Sequence, residues 1–413
     1  MADVRPFRGY RPTAGEVKQI AAPPYDVLDS EEARAMAQGN PLSYLHVNKA
    51  EIDLPPGSDP YAPAVYEAAA NNLRKLIVQG HLRQDASRCF YIYQQRMGDH
   101  VQAGLMGAVS VLEYQRNFIK KHELTRQDKE DDRTRHIDVA NANTEPVFLT
   151  YRADADVNRL VDAVRAEPPW CDFVADDGIG HTVWVVSDEK VIRALQQRFA
   201  TIATLYVADG HHRSAASARV GARRRAANPL HLGEEPYNHF LAVLFPDEQL
   251  QILDYNRVIA DLRGMTGEQF VARLAEKFDV QPAASARPDR VHEFGLYLDG
   301  CWRRLTARPG TFPERDPVKG LDVQILSDNV LAPLLGIADL RTDKRINFVG
   351  GIRGMHELER LVNEGRYAAA FAMHPTTVVQ LMAIADAGMI MPPKSTWFEP
   401  KLRSGIVVRL LED

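Results

Sequence analysis

Within the stretch TLYVADGHHRSAASARV (Thr204–Val220), an acid, a glycine, two histidines and an arginine follow one another: Asp209, Gly210, His211, His212 and Arg213. The residues before them are β-branched and aromatic, which favours a strand. Those after them are rich in alanine, which favours a helix. A strand that turns through glycine into a helix presents unpaired backbone N–H groups and the positive end of the helix dipole. That geometry suits an anion, phosphate above all. Gly210 permits the tight turn, His211 and His212 add donors, and Arg213 adds a fork suited to phosphate. Asp209 is placed to hold a magnesium ion or to accept a proton. The spacing is not that of GxxxxGK[ST], so this is no Walker motif. A transition metal on Asp209 and His211 is the competing chemistry. An ordinary surface turn is the inert alternative.

Two further constellations carry charge. IKKHELTRQDKEDDR holds Lys120, Lys121, His122, Glu123, Arg126, Lys129 and Arg133. As a helix it would set Glu123 and Arg126 one turn apart. The bland reading is a solvated, salt-bridged helix; the sharper one makes Glu123 a base and Lys120 and Arg126 phosphate contacts. AAPPYDV places Asp26 after two prolines that fix the backbone direction, either as an ordinary turn or to hold a catalytic acid. FVGGIRG lacks the GxGxxG order and marks a strand-to-helix turn, with Arg353 within reach of an anion. PPKSTWFEPKLRSG, with Lys394, Ser395, Thr396, Lys401 and Arg403, suits a lid or a subunit contact, with ligand binding and structural anchoring both open. Arg219, Arg223, Arg224 and Arg225 read as a solvated helix face, with weak nucleic-acid contact as the alternative.

Strands and helices must position these groups. Helices are expected after Ser30 as N-cap, over Tyr61–Gln79 with Ala64, Ala68, Leu73 and Leu76 on one face, and at TGEQFVARLAEKFDV. NPLSYLHV reads as a short strand. CFYIYQQRM and QAGLMGAVSVLEY form a hairpin around Gly98-Asp99. EFGLYLDGCWRRLTA forms another around Asp299-Gly300. NHFLAVLFP and LQILDYNRVI read as adjacent strands about Asp247-Glu248. The mixture is α+β, with largely antiparallel sheets and flanking helices. The character changes near residue 262, so the domains expected are 1–262, bearing the phosphate site, and 263–413.

The whole chain narrows the field. Its 413 residues are 45% hydrophobic and 25% charged, the balance of a globular protein. With 50 basic and 55 acidic residues there is no global footprint for nucleic acid. Cys89, Cys171 and Cys301 form no CxxC, which fits a reducing cytoplasm rather than a disulfide framework. No apolar signal core and no run of 18 apolar residues is present, so neither export nor a membrane span is expected.

The quoted motifs also carry a resemblance. ADGHHRSAA is similar to the phosphate-binding box of the ParB/sulfiredoxin-like superfamily, which includes ParB nucleotidases, sulfiredoxin and free-serine kinases. Together, APPYDV, NPLSYLHV, IKKHELTRQDKEDDR, TEPVFL, ADGHHR, NRVIADL, FVGGIRG and MPPKSTWFEPKLRSG resemble a bacterial domain-of-unknown-function family, DUF ten-fifteen, sometimes labelled SpoOJ/ParB-like. The resemblance implies a ParB-like core with large elaborations. The reading it supports is a kinase acting on a small hydroxylated metabolite, with free serine as one case. Gly210, His211, His212, Arg213, Lys120 and Arg126 would contact phosphate. Asp209 would hold Mg2+, and Asp26 or Glu123 would act on the hydroxyl. ATP, ADP and pyrophosphate all remain open as donor. The partners expected are a small-molecule substrate and the phosphate donor; a homo-oligomer is compatible, and DNA is disfavoured. Other readings are a ParB-like nucleotide-binding regulator, a DNA-associated clamp, and a metal-dependent hydrolase on Asp209, His211 and His212.

Overall fold

The computed structural model describes residues 2–283 and 287–412. The chain forms two compact units, Met1–Leu250 with Pro400–Asp413, and Gln251–Glu399. This differs from a contiguous division after residue 262. Gln251–Ile252 pairs with Phe398–Glu399, which closes the second unit on its own ends. The last residues rejoin the first unit through backbone pairing of Ala22 with Ser404 and of Tyr10 with Val408.

The first unit is built on a nine-stranded sheet. Its strands are β1 (Val4–Arg5), β2 (Phe90–Met97), β3 (His100–Ser110), β4 (Ile119–Lys120), β5 (Val147–Tyr151), β6 (Cys171–Val174), β7 (Gly180–Val186), β8 (Leu205–Asp209) and β9 (His239–Pro246). The spatial order is β4-β8-β5-β9-β3-β2-β7-β6, with β1 beside β3. Most neighbours are antiparallel; β4 with β8 and β5 with β9 are parallel. The run FLAVLF in β9 is buried at every position. A strand in mid-sheet, covered on both faces, needs apolar residues on both and loses the usual alternation. Val147 and Leu149 of β5 and Leu205 and Val207 of β8 join Leu244 of β9 in one core.

The helices that matter for the site are α1 (Ser30–Ala37), α2 (Pro63–Val78), α3 (Gln127–Ala140) and α4 (His211–Ala227). Asp29, not Ser30, caps α1: its side chain accepts from the Glu32 N–H while Glu32 returns the bond, a reciprocal capping box. The buried face of α2 is Val65, Tyr66, Ala69, Leu73 and Leu76, one residue out of phase with the expected Ala64 and Ala68. NPLSYLHV is no strand. Leu45–Asn48 is a single helical turn followed by the 3-10 turn Ala50–Asp53. Four apolar-biased residues fit either period, and burial of Tyr44 and Leu45 decides it here.

The second unit holds a six-stranded sheet of β10 (Tyr255–Ile259), β11 (Phe278–Pro282), β12 (Glu293–Leu298), β13 (Cys301–Ala307), β14 (Ile346–Gly350) and β15 (Ala369–Met373). Its order is β11-β13-β12-β15-β10-β14, with every pair antiparallel. Thus β10 pairs within this unit, and no hairpin joins it to β9 across Asp247-Glu248. The Asp299-Gly300 hairpin is present. Both residues have positive φ, 52° and 73°, as a turn matched to strand twist requires.

One acid of the second unit sets a pH response. Asp322 is buried and accepts the His292 N–H at 2.8 Å; burial pushes its carboxyl up to about 7 against that hydrogen bond. A raised folded-state pKa stabilises fully below pH 4. The contribution is lost as pH rises toward 7, because the unfolded chain ionises first. The stability difference between Asp322→Asn and the wild type should therefore move in the variant's favour by roughly 2–4 kcal/mol from pH 4 to pH 8. Urea unfolding at the two pH values measures it. A difference independent of pH would show that Asp322 is ionised in the native state.

Candidate functional site

Strand β8 runs into α4 through Gly210, whose φ of 91° lies in the left-handed region. A Cβ there would stand 3.2 Å from Arg213 Nε, a tight fit, and 3.5 Å from Val147 Cα, an ordinary contact; it is the φ that favours glycine. The Gly210 N–H donates to Asp209 Oδ1 at 2.7 Å. No side chain caps α4, so a helix of 17 residues opens with its first N–H groups uncapped.

Around this turn lies a cluster of opposite charges. Lys401 Nζ donates to Asp209 Oδ2 at 2.8 Å. Arg213 is buried; its Nη2 lies 3.7 Å from Asp26 and 3.9 Å from Asp209, and its Nη1 donates to the Pro146 carbonyl at 2.6 Å. Burial works against the Asp209 charge, but Lys401 and Arg213 outweigh it and hold the carboxyl well below the usual range. Asp26 moves the opposite way. Its low-dielectric surroundings raise its pKa, Arg213 opposes, and the charge on Asp209 adds to the rise, although 37% of the side chain still reaches solvent. Two neighbouring carboxyls are thus driven apart in acidity, Asp209 the stronger acid and Asp26 the weaker.

Beneath them sits Glu145, buried at the start of β5. Its Oε1 accepts from the Tyr25 N–H at 2.9 Å, from Asn48 Nδ2 at 3.1 Å and from Ser404 Oγ at 3.1 Å. Arg133 of α3 lies over the Tyr25 ring at 4.0 Å and pairs with Asp132 at 2.9 Å. Asp132 in turn accepts from Tyr66 of α2. The Tyr25–Asp26 loop is therefore gripped from below on both its backbone and its ring. Lys401 is held by Gln95 of β2, which donates to its carbonyl at 2.9 Å.

The histidines divide. His211 turns inward, with Nε2 3.3 Å from His122 Nε2 and the rings perpendicular at 87°. Burial, then the neighbouring imidazole, holds His211 well below its ordinary pKa, and burial brings His122 to about 4. Both rings are neutral near pH 7. His212 is half-buried, and its Nε2 accepts the Arg126 N–H at 3.0 Å. Glu123 is partly exposed beside the His pair. Lys120 lies in β4, alongside β8. Arg126 is exposed and pairs with Asp128 at 2.8 Å. Since α3 begins at Gln127, residues 121–126 are not helical, and no helical-turn pairing of Glu123 with Arg126 exists.

The structure thus brings Asp26, the 120–133 segment and the 209–213 turn together. Arg213 lies under the turn rather than in front of it. Glu145, Arg133 and Lys401 complete the cluster; the sequence offered Arg133 only within a cleft-lining segment and Lys401 only within a loop suited to ligand binding or anchoring, and Glu145 not at all. Their signals were faint: a lone acid before Pro146, one arginine in a charge run, one lysine in a loop. Arg353 and Lys394–Trp397 belong to the second unit, where Trp397 packs against Gly350 and donates to Glu399 at 2.8 Å.

An α+β protein with mixed, largely antiparallel sheets and a charged strand-to-helix turn is the class these observations define. Residues 4–324 match the model of a family described as "Protein of unknown function (DUF1015)", and the chain belongs to that family. Comparison with curated proteins gives no significant match. Among solved structures, a free serine kinase in complex with AMP is similar at 12% identity, covering 71% of this chain and 86% of that one, with a TM-score of 0.36. A conserved hypothetical protein from Pyrococcus furiosus gives 13%, 74%, 95% and 0.36 for the same quantities. SbnI from Staphylococcus aureus, truncated at its C-terminus, gives 11%, 74%, 87% and 0.39. At such scores these likenesses carry no inference about activity. No helix among the described residues is long and apolar enough to cross a membrane.

Two outcomes follow from the turn and its helix. Gly210→Ala should cost about 1–2 kcal/mol in urea unfolding, from the left-handed backbone alone. A neutral substitution would mean the turn relaxes out of that conformation. The arginines of α4 are largely neutralised: Arg219 meets Asp131 at 2.6 Å, Arg223 and Arg224 meet Asp138 at 3.5 and 3.1 Å, and Arg225 donates to Asn238. Duplex DNA should accordingly not be retained in gel shifts at roughly 0.15 M salt. Sequence-selective retention there would restore the clamp reading.

Proposed function

We propose that the protein is a phosphotransferase acting on a small hydroxylated metabolite. The observation that carries this is the pairing of unlike carboxyls, Asp26 and Asp209, on one buried guanidinium at the open start of a 17-residue helix. The N–H groups opening α4 would receive phosphate oxygens of the donor. Lys401, one-fifth exposed beside Asp209, would stabilise charge on the transferred group. Arg213 would act from beneath, fixing both carboxylates rather than touching the donor. Asp26, with its raised pKa and its access to solvent, would take the proton of the acceptor hydroxyl. His212 and Arg126 would border the entrance. Lys120 and Glu123 would line the side nearest the histidine pair.

The carboxylate of Asp209 suits a hard cation such as Mg2+. Bound with the donor, that ion would neutralise phosphate charge. ATP, ADP and pyrophosphate are equally compatible donors. Free serine belongs among the acceptors to be tried, because the DGHHR box resembles that of free-serine kinases.

The test follows phosphorus NMR of each Mg2+–donor with a panel of hydroxylated amino acids and polyols. Asp26→Asn should lower turnover by roughly 10²–10⁴-fold, the ordinary contribution of a general base, with donor affinity retained. Lys401→Met should weaken both. Full activity in Asp26→Asn, or no transfer from any of the three donors, would remove this reading.

A further inference from the structure

We infer that His122, Glu123 and His211 form a binding site for one divalent transition metal ion, zinc above all, separate from any magnesium that accompanies a nucleotide. One ligand atom from each of the three residues lies within 4.8 Å of the others. The geometry of the histidine pair is the first reason. Zinc–nitrogen bonds of about 2.0–2.1 Å at tetrahedral angles set two imidazole nitrogens about 3.3–3.4 Å apart. The Nε2 atoms of His122 and His211 are 3.3 Å apart. A direct N–H···N hydrogen bond is usually shorter, near 3 Å.

The second reason is where the ligands stand. His122 follows β4 and His211 opens α4, just past β8. These strands pair in parallel, Lys120 opposite Tyr206, so the sheet fixes both backbones. Both histidines are buried, at 1% and 6% exposure. The Nδ1 atoms of both rings are buried without a hydrogen-bond partner, and it is the two Nε2 atoms that face each other. Glu123 is only half-buried, and a turn of its side chain by about 1–2 Å would complete a zinc–oxygen bond.

Two imidazoles and one carboxylate select zinc or a neighbouring first-row ion over magnesium, which takes oxygen. Three protein ligands leave a fourth position open, as in catalytic rather than structural zinc sites. The ligand set also differs from the Asp209, His211 and His212 set expected from sequence: His212 Nε2 is engaged by the Arg126 N–H, and Asp209 by Lys401.

The experiment titrates chelator-stripped full-length protein with Co2+ and then displaces it with Zn2+, without nucleotide. One equivalent should bind, with the intense visible bands of four-coordinate cobalt. X-ray absorption of the zinc form should count two imidazoles. His122→Gln and His211→Gln should each weaken binding by about 100-fold, and Glu123→Gln should weaken it too. His231→Ala, a surface histidine beside Tyr237, should leave it unchanged. No saturable binding, a wild-type metal without two imidazoles, or undiminished affinity in the His122 and His211 variants would each overturn the site. The wild-type spectra decide even if a variant fails to fold. The phosphotransferase reading is judged separately, by turnover with Mg2+.

Discussion

One buried carboxylate ties the first unit together. Glu145 accepts hydrogen bonds from Tyr25, Asn48 and Ser404, residues from opposite ends of the sequence. A buried carboxylate is costly without partners; this one has three donors and Arg133 Nη1 at 3.9 Å, and it holds those donors in place. Removing it would leave a buried amide N–H and two polar side chains short of a partner. Asp26 is placed because Tyr25 is placed, and Arg213 keeps its position between Asp26 and the Pro146 carbonyl that follows Glu145. The site is thus assembled from behind, by a buried group beneath it.

The sheet supplies the rigidity this requires. β5 and β8 lie side by side, so Glu145–Pro146 and Asp209–Gly210 come off neighbouring strands. The register between them shifts near Val207–Asp209, where the ladder gives way to the turn. Small residues on α4, Ala215, Ala216 and Ala218, let the helix lie close to the sheet and to α3, keeping its first turn near Asp26 and the 120–133 segment.

How much of this could be read from the sequence follows from the range of the forces involved. Local signals were legible. The strand, glycine and helix of 204–220 follow from propensity and φ, and so do the Asp299-Gly300 hairpin and the Thr266 cap with its Gln269 partner. Element type failed where a run was short, as at Leu45–Asn48. Phase failed where alanines diluted the pattern, as in α2. The pairing of β10 was hidden because it is made with strands 87 or more residues on. The charged cluster was half legible: Asp26, Asp209 and Arg213 stood in dense motifs. Glu145 and Lys401 are single charges whose meaning arises only from tertiary neighbours, and a lone charge carries no period to detect.

The return of the carboxy-terminal residues to the first unit bears on biosynthesis. Lys401 and Ser404 are made after the 149 residues of the second unit, yet they contact groups at 209 and 145. A nascent chain that has released residues 1–250 has all nine strands of its sheet but lacks Lys401 beside Asp209 and one donor to Glu145. The ribosome therefore exposes the sheet well before the charged site is complete. During that interval Asp209 has only Arg213 of its two cations, and Glu145 only Tyr25 and Asn48 of its three donors.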